Sequence, residues 1–341
     1  MTDSIIFPGL GGLSLEPARG FTIPGTTFTV YYYGVIIALG LVLSVLYGLR
    51  RSKEFGLKQD DIIDGILWIV PLAIICTRAY YVLSEWDQYK GDFVKMINIR
   101  DGGLAIFGGV IGAAGGVVIF SKVKKVSLPA VLDLVAVSFL IGQAIGRWGN
   151  FINREAFGSY TDSFLAMQIP MKYLDAGTGE AFDKLRQMAV TIDGVKYIQV
   201  HPTFLYESLW NVAGFVLLHF LSKKRQYDGQ IALGYAAWYG LGRAFIEGLR
   251  MDSLYWGPFR GSQLLAAVIC FVSVVVLMLM SLKKHDRANL YVNRLAAMEA
   301  DAALPEEAEE EIAEFEEAEE IVETENSEEP EETEAPEETE E

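Results

Sequence analysis

Seven apolar stretches of about 20 residues each run through this chain, separated by more polar segments. They lie near residues 28–48, 62–83, 103–121, 128–146, 204–222, 230–248 and 261–282. A stretch of that length is what an α-helix needs to cross the hydrocarbon core of a bilayer. Only helices or closed barrels can span there, because every backbone polar group must be satisfied without water. The first stretch opens on Tyr31, Tyr32 and Tyr33, a residue type that favours the membrane–water interface. The third is rich in glycine and alanine, which let helix backbones approach closely inside a bilayer. The fourth and sixth are interrupted by polar residues. The pattern argues against a soluble α/β enzyme. The expected fold is an all-α integral membrane protein with seven transmembrane helices.

The loops assign an orientation. Basic clusters follow the first stretch (residues 50–58), the third (121–126), the fifth (222–226) and the seventh (283–287). The other loops are mixed or acidic. Basic loops stay in the cytoplasm, so the pattern puts the N-terminus outside and the C-terminus inside. Two outer segments are long, 84–102 and 147–203. The second exceeds a simple connector and is expected to form a small extracytoplasmic head. The first 27 residues carry one basic residue, Arg19, and no short apolar core with a cleavage site, so no cleavable signal is expected.

Charge separates the membrane part, residues 1–285, from the tail, 286–341. The whole chain has a net charge of −17. Residues 301–341 hold 22 acidic residues and no Lys or Arg, which leaves 23 acidic against 28 basic residues in the first 300, a net +5. The tail is Glu-rich with scattered proline and is expected to be cytoplasmic and mostly disordered, because it lacks the apolar surface to offset chain entropy. Neither part has the basic character of a nucleic-acid binder. Cys76 and Cys270 lie inside apolar stretches and suit neither a disulfide framework nor a paired metal site. Three histidines, His201, His219 and His285, make a His-rich metal centre improbable. No metal or cofactor is expected.

Charged groups at membrane depth cost about 3 kcal/mol or more, so each one needs either a pairing role or a functional one. Arg78 and Asp133 stand singly, and structural pairing is the expected reading for both. Two clusters are different. In residues 146–158 (GRWGNFINREAFG), Arg147, Asn150 and Asn153 recur three apart and share one helix face. Gly146, Gly149 and Gly158 in the same run permit close backbone approach. In residues 242–250 (GRAFIEGLR), Arg243, Glu247 and Arg250 also share a face. The fifth stretch opens at His201 and carries Glu207 about a turn and a half further on. Arginines near the outer leaflet, backed by Asn and Glu, make a plausible clamp for a lipid phosphate, since guanidinium offers planar, permanently charged, bidentate donors.

These residues carry a family resemblance. Residues 146–158 resemble the signature of prolipoprotein diacylglyceryl transferase, a seven-span family of the bacterial plasma membrane. YYYG (residues 31–34), DGGLAIFGGVIG (101–112), HPTFLYE (201–207), GLGRAFIEGLR (240–250) and GSQ (261–263) resemble further stretches of that family, in order. The resemblance covers roughly residues 5–285 and not the acidic tail. It implies transfer of the diacylglyceryl group of phosphatidylglycerol to the lipobox cysteine thiol of a prolipoprotein signal peptide. A thioether forms and glycerol phosphate leaves. Arg147 and Arg243 correspond to essential arginines of the family; Tyr33, Asn150, Glu155 and Gly158 match other important positions; Glu207 and Glu247 match motif carboxylates. With Gly149, Asn153 and Arg250 from the same motifs, these make up the expected substrate site. The family often has a histidine after DGG, considered a catalytic base. Here that position is Phe107, which cannot take a proton. Thiol activation is therefore expected from the cationic field of Arg147 and Arg243, with a carboxylate such as Glu247 as proton acceptor, while His201 caps or hydrogen-bonds the entry to the fifth helix, just before Pro202. A lipid or small-solute transporter is the alternative, against which stands the absence of an internal repeat.

The orientation has a direct check. Single cysteines placed within 147–203 are expected to react with an impermeant thiol reagent in intact cells, and single cysteines in the tail are expected not to. Labelling of the tail from outside would overturn the assignment.

Overall fold

The computed structural model describes residues 3–99, 102–174, 180–251, 255–256 and 259–302. The acidic tail beyond 302, for which disorder is expected, lies outside these residues, as does Asp101. The chain divides into two units, residues 1–293 and 294–341.

The first unit opens with two hairpins, β1 (Ile5–Phe7) with β2 (Leu13–Leu15), and β3 (Gly20–Thr22) with β4 (Thr29–Tyr31). Then come α1 (Tyr32–Arg51) and α2 (Gln59–Ser84), two short helices α3 (Trp86–Tyr89) and α4 (Phe93–Ile97), α5 (Ile106–Lys124) and α6 (Leu128–Asn153). The head follows with β5 (Met167–Pro170), α7 (Glu180–Gln187), β6 (Val190–Ile192) and β7 (Val195–Val200). The chain returns to the bundle in α8 (Thr203–Ser222) and α9 (Gln230–Ile246), then passes through a small hairpin, β8 (Tyr255–Trp256) and β9 (Phe259–Arg260), into α10 (Gly261–Ser281). A last helix, α11 (Tyr291–Asp301), begins in the first unit, and residues 294–302 are the described part of the second.

Six of these helices are long and apolar enough to cross a membrane: α1 with the turn after it, α2, α5, α6, α8 and α10. The sixth expected span, 230–248, corresponds to α9, which has 17 helical residues. Large apolar side chains point outward along the bundle, among them Trp68 at 77% exposure, Leu83 at 70% and Phe271 at 70%. An apolar surface that extensive would be unfavourable in water and is what lipid contact requires. Helices pair through small residues. A Cβ on Gly112 of α5 would stand 2.7 Å from Cβ of Cys76 on α2, and one on Gly40 of α1 would stand 3.3 Å from the Gly142 carbonyl of α6. Close backbone contact replaces the hydrophobic drive that lipid removes.

The fourth expected span, 128–146, runs on as α6 to Asn153, so the head begins at Arg154 and not at 147. Arg154 ends the helix in a left-handed conformation with φ 57°. The head is built on a five-stranded antiparallel sheet in the order β2-β1-β5-β7-β6. Ile5, Phe7, Ile169, Ile198 and Val200 pack there against Phe151 at the end of α6 and Phe204 at the start of α8. The N-terminal strands are a feature that sequence reading missed, because three-residue strands are too short to show a period. Arg154 fastens them: only 2% exposed, its guanidinium donates to the main-chain carbonyls of Asp3, Pro17 and Ile152.

Two of the charges at membrane depth are structural. Arg78 donates to the carbonyls of Lys95, Met96, Gly102 and Gly103 at 2.7–2.8 Å, closing the α4–α5 connection over the end of α2. Asp133, fully buried, accepts the backbone N–H groups of Gly229 (2.8 Å), Ile231 (2.9 Å) and Ala232 (2.8 Å) and so caps the start of α9 from another helix. Replacing Asp133 with Ala would strand those donors, at about 1–3 kcal/mol each. Asp133→Ala is expected to lower the melting temperature of the detergent-purified protein clearly, and Asp133→Asn, which keeps one acceptor, to lower it less. Unchanged melting in both would show that the cap carries no stability.

Candidate active site

At the end of the bundle that meets the head, α6, α8 and α9 converge, and each brings charge. Glu207 sits on the second turn of α8 and is 8% exposed at its side chain. Three arginines from two directions share its carboxylate. Nη2 of Arg147 on α6 pairs with Oε2. Nη1 of Arg243 on α9 lies 3.3 Å from Oε1, and Nη1 of Arg250, just past α9, lies 3.4 Å from the same oxygen. Glu247 forms the second anchor. Its Oε2 is 2.7 Å from Nη2 of Arg243, and its Oε1 accepts from Oγ of Ser262 at 2.8 Å. The expected single helix face for Arg243, Glu247 and Arg250 is not what forms: the helix ends at Ile246, a 3-10 turn, Glu247–Leu249, carries Glu247, and Arg250 follows in an extended conformation, so the three meet through the turn.

Among the described residues, three guanidiniums meet two buried carboxylates at the centre of this cluster. Exposure is graded: the Glu247 side chain is 2% exposed, Arg250 11%, and Arg147 and Arg243 21% each. The carboxylates therefore lie behind the arginines, and two guanidiniums face the opening. This arrangement can receive an anion and holds donors where negative charge develops.

Beside it, Asn150 and Asn153 both donate to Oε1 of Glu155, at 3.0 and 3.4 Å. Nη1 of Arg147 reaches Oδ1 of Asn150 at 3.5 Å, linking the two groups. Glu155 is exposed. Tyr33, on the first turn of α1, lies against α6 at Gly149, where a Cβ would come within 2.8 Å of its ring. Gly158 is drawn to the rear: its N–H donates to the His201 carbonyl at 3.0 Å, and it bridges to Arg250 in a short antiparallel pairing. A Cβ there would meet Cβ of His201 at 2.7 Å. So the structure brings Arg147, Glu207, Arg243, Glu247 and Arg250 into one cluster, joins Asn150, Asn153 and Glu155 to its edge, and gives Gly149 and Gly158 packing roles.

Sequence reading missed the supports of this cluster. Nε1 of Trp148 donates to Oγ of Ser208 at 3.2 Å, and that hydroxyl donates to the Ala144 carbonyl at 2.9 Å, which pins α8 to α6 beside the Arg147–Glu207 pair. Ser262 sits in the GSQ stretch, where nothing in the spacing points to Glu247. Phe107, at the start of α5, is 55% exposed and packs on Tyr80 of α2.

The family model described as prolipoprotein diacylglyceryl transferase matches residues 21–279. The chain belongs to that family. A protein of Listeria welshimeri named phosphatidylglycerol–prolipoprotein diacylglyceryl transferase is 40% identical over 276 residues, covering 80% of this chain and 94% of its own. A protein of the same name from Bacillus cytotoxicus is 42% identical over 248 residues, 73% of this chain and 87% of its own. Another from Bacillus mycoides is 44% identical over 248 residues, again 73% and 87%. The family match takes in every residue of the charged cluster, while the Glu-rich tail falls outside it.

His201 precedes α8. Its backbone pairs with Ser159 and Gly158, and its Nδ1 is 3.3 Å from the Tyr206 hydroxyl. Burial pushes the imidazole below its ordinary pKa of 6.5. The neutral ring therefore contributes stability that is present above pH 6.5 and lost as the pH falls from there towards the lower folded value, because the unfolded chain takes up the proton first. The melting temperature of the wild type is expected to drop more between pH 7.5 and about 5.5 than that of His201→Asn. Parallel profiles would show that His201 does not titrate against the fold.

Proposed function

We propose that this chain transfers the diacylglyceryl group of phosphatidylglycerol to the lipobox cysteine of a prolipoprotein, and that the Glu207 cluster is where the transfer occurs. The observation that carries the reading is the pair of half-screened arginines, Arg147 and Arg243, held by Glu207 and Glu247 in a family whose relatives bear that name. The cysteine sulfur attacks the glyceryl carbon that is esterified to phosphate. An S–C bond forms and the C–O bond to phosphate breaks. The electron pair leaves on glycerol phosphate, and the thiol proton passes to a base.

Two guanidiniums serve both halves of that step. They neutralise charge gathering on the departing phosphate, and in a water-poor site such donors are worth more than in solution. They also favour the thiolate over the thiol, whose ordinary pKa is about 8.5. Glu247 was the expected proton acceptor. Its oxygens are engaged by Ser262 and Arg243, and this favours a role in orienting Arg243. Glu155 also accepts hydrogen bonds, from Asn150 and Asn153, but it is exposed where Glu247 is buried, and it is linked to Arg147 through Asn150, which makes it the better placed acceptor. The protein works in the bacterial plasma membrane with the head outside, where lipobox cysteines emerge; the basic loops at the opposite end support that orientation. Polar groups gathered at one end, and not at mid-depth, weigh against a transporter.

Incubation of the purified protein with phosphatidylglycerol and a lipobox peptide is expected to raise the peptide mass by one diacylglyceryl group, and no mass gain would overturn the reading. Arg147→Lys and Arg243→Lys are each expected to lose about 100-fold or more in turnover while staying folded, because lysine keeps the charge but not the planar fork. Near-normal turnover would mean that net charge alone suffices. His201→Asn is expected to stay within about tenfold of wild type, whereas a general base contributes about 100-fold or more.

A further inference from the structure

The turn that carries Glu247 and leads into Arg250 is gripped from outside its own helix. Arg260 precedes α10 as the last residue of β9. Its Nη1 donates to the main-chain carbonyl of Glu247 and, at 3.1 Å, to that of Arg250. These two carbonyls bracket the turn at the end of α9, where the helix dipole favours a cation, and that of Glu247 also accepts the Arg250 N–H at 3.2 Å. Two further groups from α10 act on the same stretch: Ser262 donates to the Glu247 carboxylate at 2.8 Å, and Nε2 of Gln263 donates to the Ala244 carbonyl at 2.8 Å. From the other side, Ser159 N–H donates to the Leu249 carbonyl at 2.7 Å.

We infer that Arg260 is a positioning residue for the transfer reaction: it fixes the 247–250 turn, and through it the side chains of Glu247 and Arg250 against Arg243 and Glu207. The inference rests on the proposed function for its kinetic meaning, though its structural half stands apart from it. Arg243 takes its orientation from Glu247 on one side and Glu207 on the other. Glu207 in turn is shared with Arg250. A shift of the turn moves Glu247, one partner of Arg243, together with Arg250, which shares the other partner Glu207, and displacement of about 1 Å at a catalytic group can cost about 100-fold. A guanidinium can bridge two carbonyls in one plane, while an ammonium can reach both only without that planar constraint.

The test uses the full-length protein in detergent, with Arg260→Gln, Arg260→Lys, Arg250→Gln and the Arg250→Gln/Arg260→Gln pair. Arg260→Gln is expected to lower kcat by about 10- to 100-fold with KM for phosphatidylglycerol within about twofold. Arg260→Lys should recover part of the loss. The double variant should lose little beyond the larger single loss, because both changes act through one turn. Amides of residues 247–250 should exchange hydrogen faster in Arg260→Gln than in wild type, with melting close to wild type. Unchanged exchange there would overturn the proposal whatever the activity. A raised KM with kcat preserved would overturn it by showing that Arg260 contacts the lipid itself, and losses that multiply in the double variant would overturn it by showing independent roles. A wild type without transfer activity, but with the expected exchange pattern, would sink the function and leave the positioning contact standing.

Discussion

The carboxylate of Glu207 is shared by three guanidiniums, from α6, from α9 and from the residue after the turn that ends α9, and the head end of the bundle is organised around it. A single buried acid facing that many cations would leave excess positive charge, and Glu247 offsets part of it. Breaking a buried pair by removing one partner costs several kcal/mol, because the other charge is left uncompensated. The cluster therefore behaves as a unit. The charges on α6, α8 and the end of α9 offset one another only where those helices are packed together.

The opposite end of the bundle shows what a purely structural use of arginine looks like. Arg51 of α1 is 7% exposed and is surrounded by Tyr47, Glu54, His219 and Ser222. Arg225 donates to the carbonyls of Glu54 and Ser222 and stacks over Phe55 at 4.2 Å. Asp133 is consumed by three backbone donors. Each of these charges is almost enclosed by protein groups. At the Glu207 end, Arg147 and Arg243 keep about a fifth of their side-chain surface open, at 21% each. That contrast in residual exposure distinguishes the two ends of the bundle better than charge alone.

The head contributes by closure. The N-terminal strands join a sheet whose apolar face packs on the ends of α6 and α8, and Arg154 ties the first residues to the α6 terminus. The Gly158–Arg250 bridge and the Ser159–Leu249 bond then connect the head to the turn that carries Glu247. A backbone that close admits no side chain at 158, which explains a glycine there without assigning it to substrate. The site is thus framed by three separate parts of the chain: the start of α8, the end of α9 and the loop after α6.

Much of this was legible in the order of residues. The apolar stretches, the helical spacing of Arg147, Asn150 and Asn153, and that of Arg243, Glu247 and Arg250 are local patterns, and in α6 the helix turns local spacing into a shared face. Family membership was also legible, because ordered motifs are a property of the sequence. Which faces meet was not. That Glu207 accepts from both α6 and α9, that Ser262 and Arg260 reach back to the α9 terminus, and that Asp133 caps a helix about 100 residues away depend on contacts between distant segments. The extension of α6 to Asn153 and the strands at Ile5–Leu15 likewise follow from packing in the head, where short segments with no period of their own are stabilised by partners across the fold. Composition and spacing set which groups could share a face; only the packed bundle decided which carboxylate each arginine would find, because ion pairing at membrane depth is a property of three-dimensional neighbours.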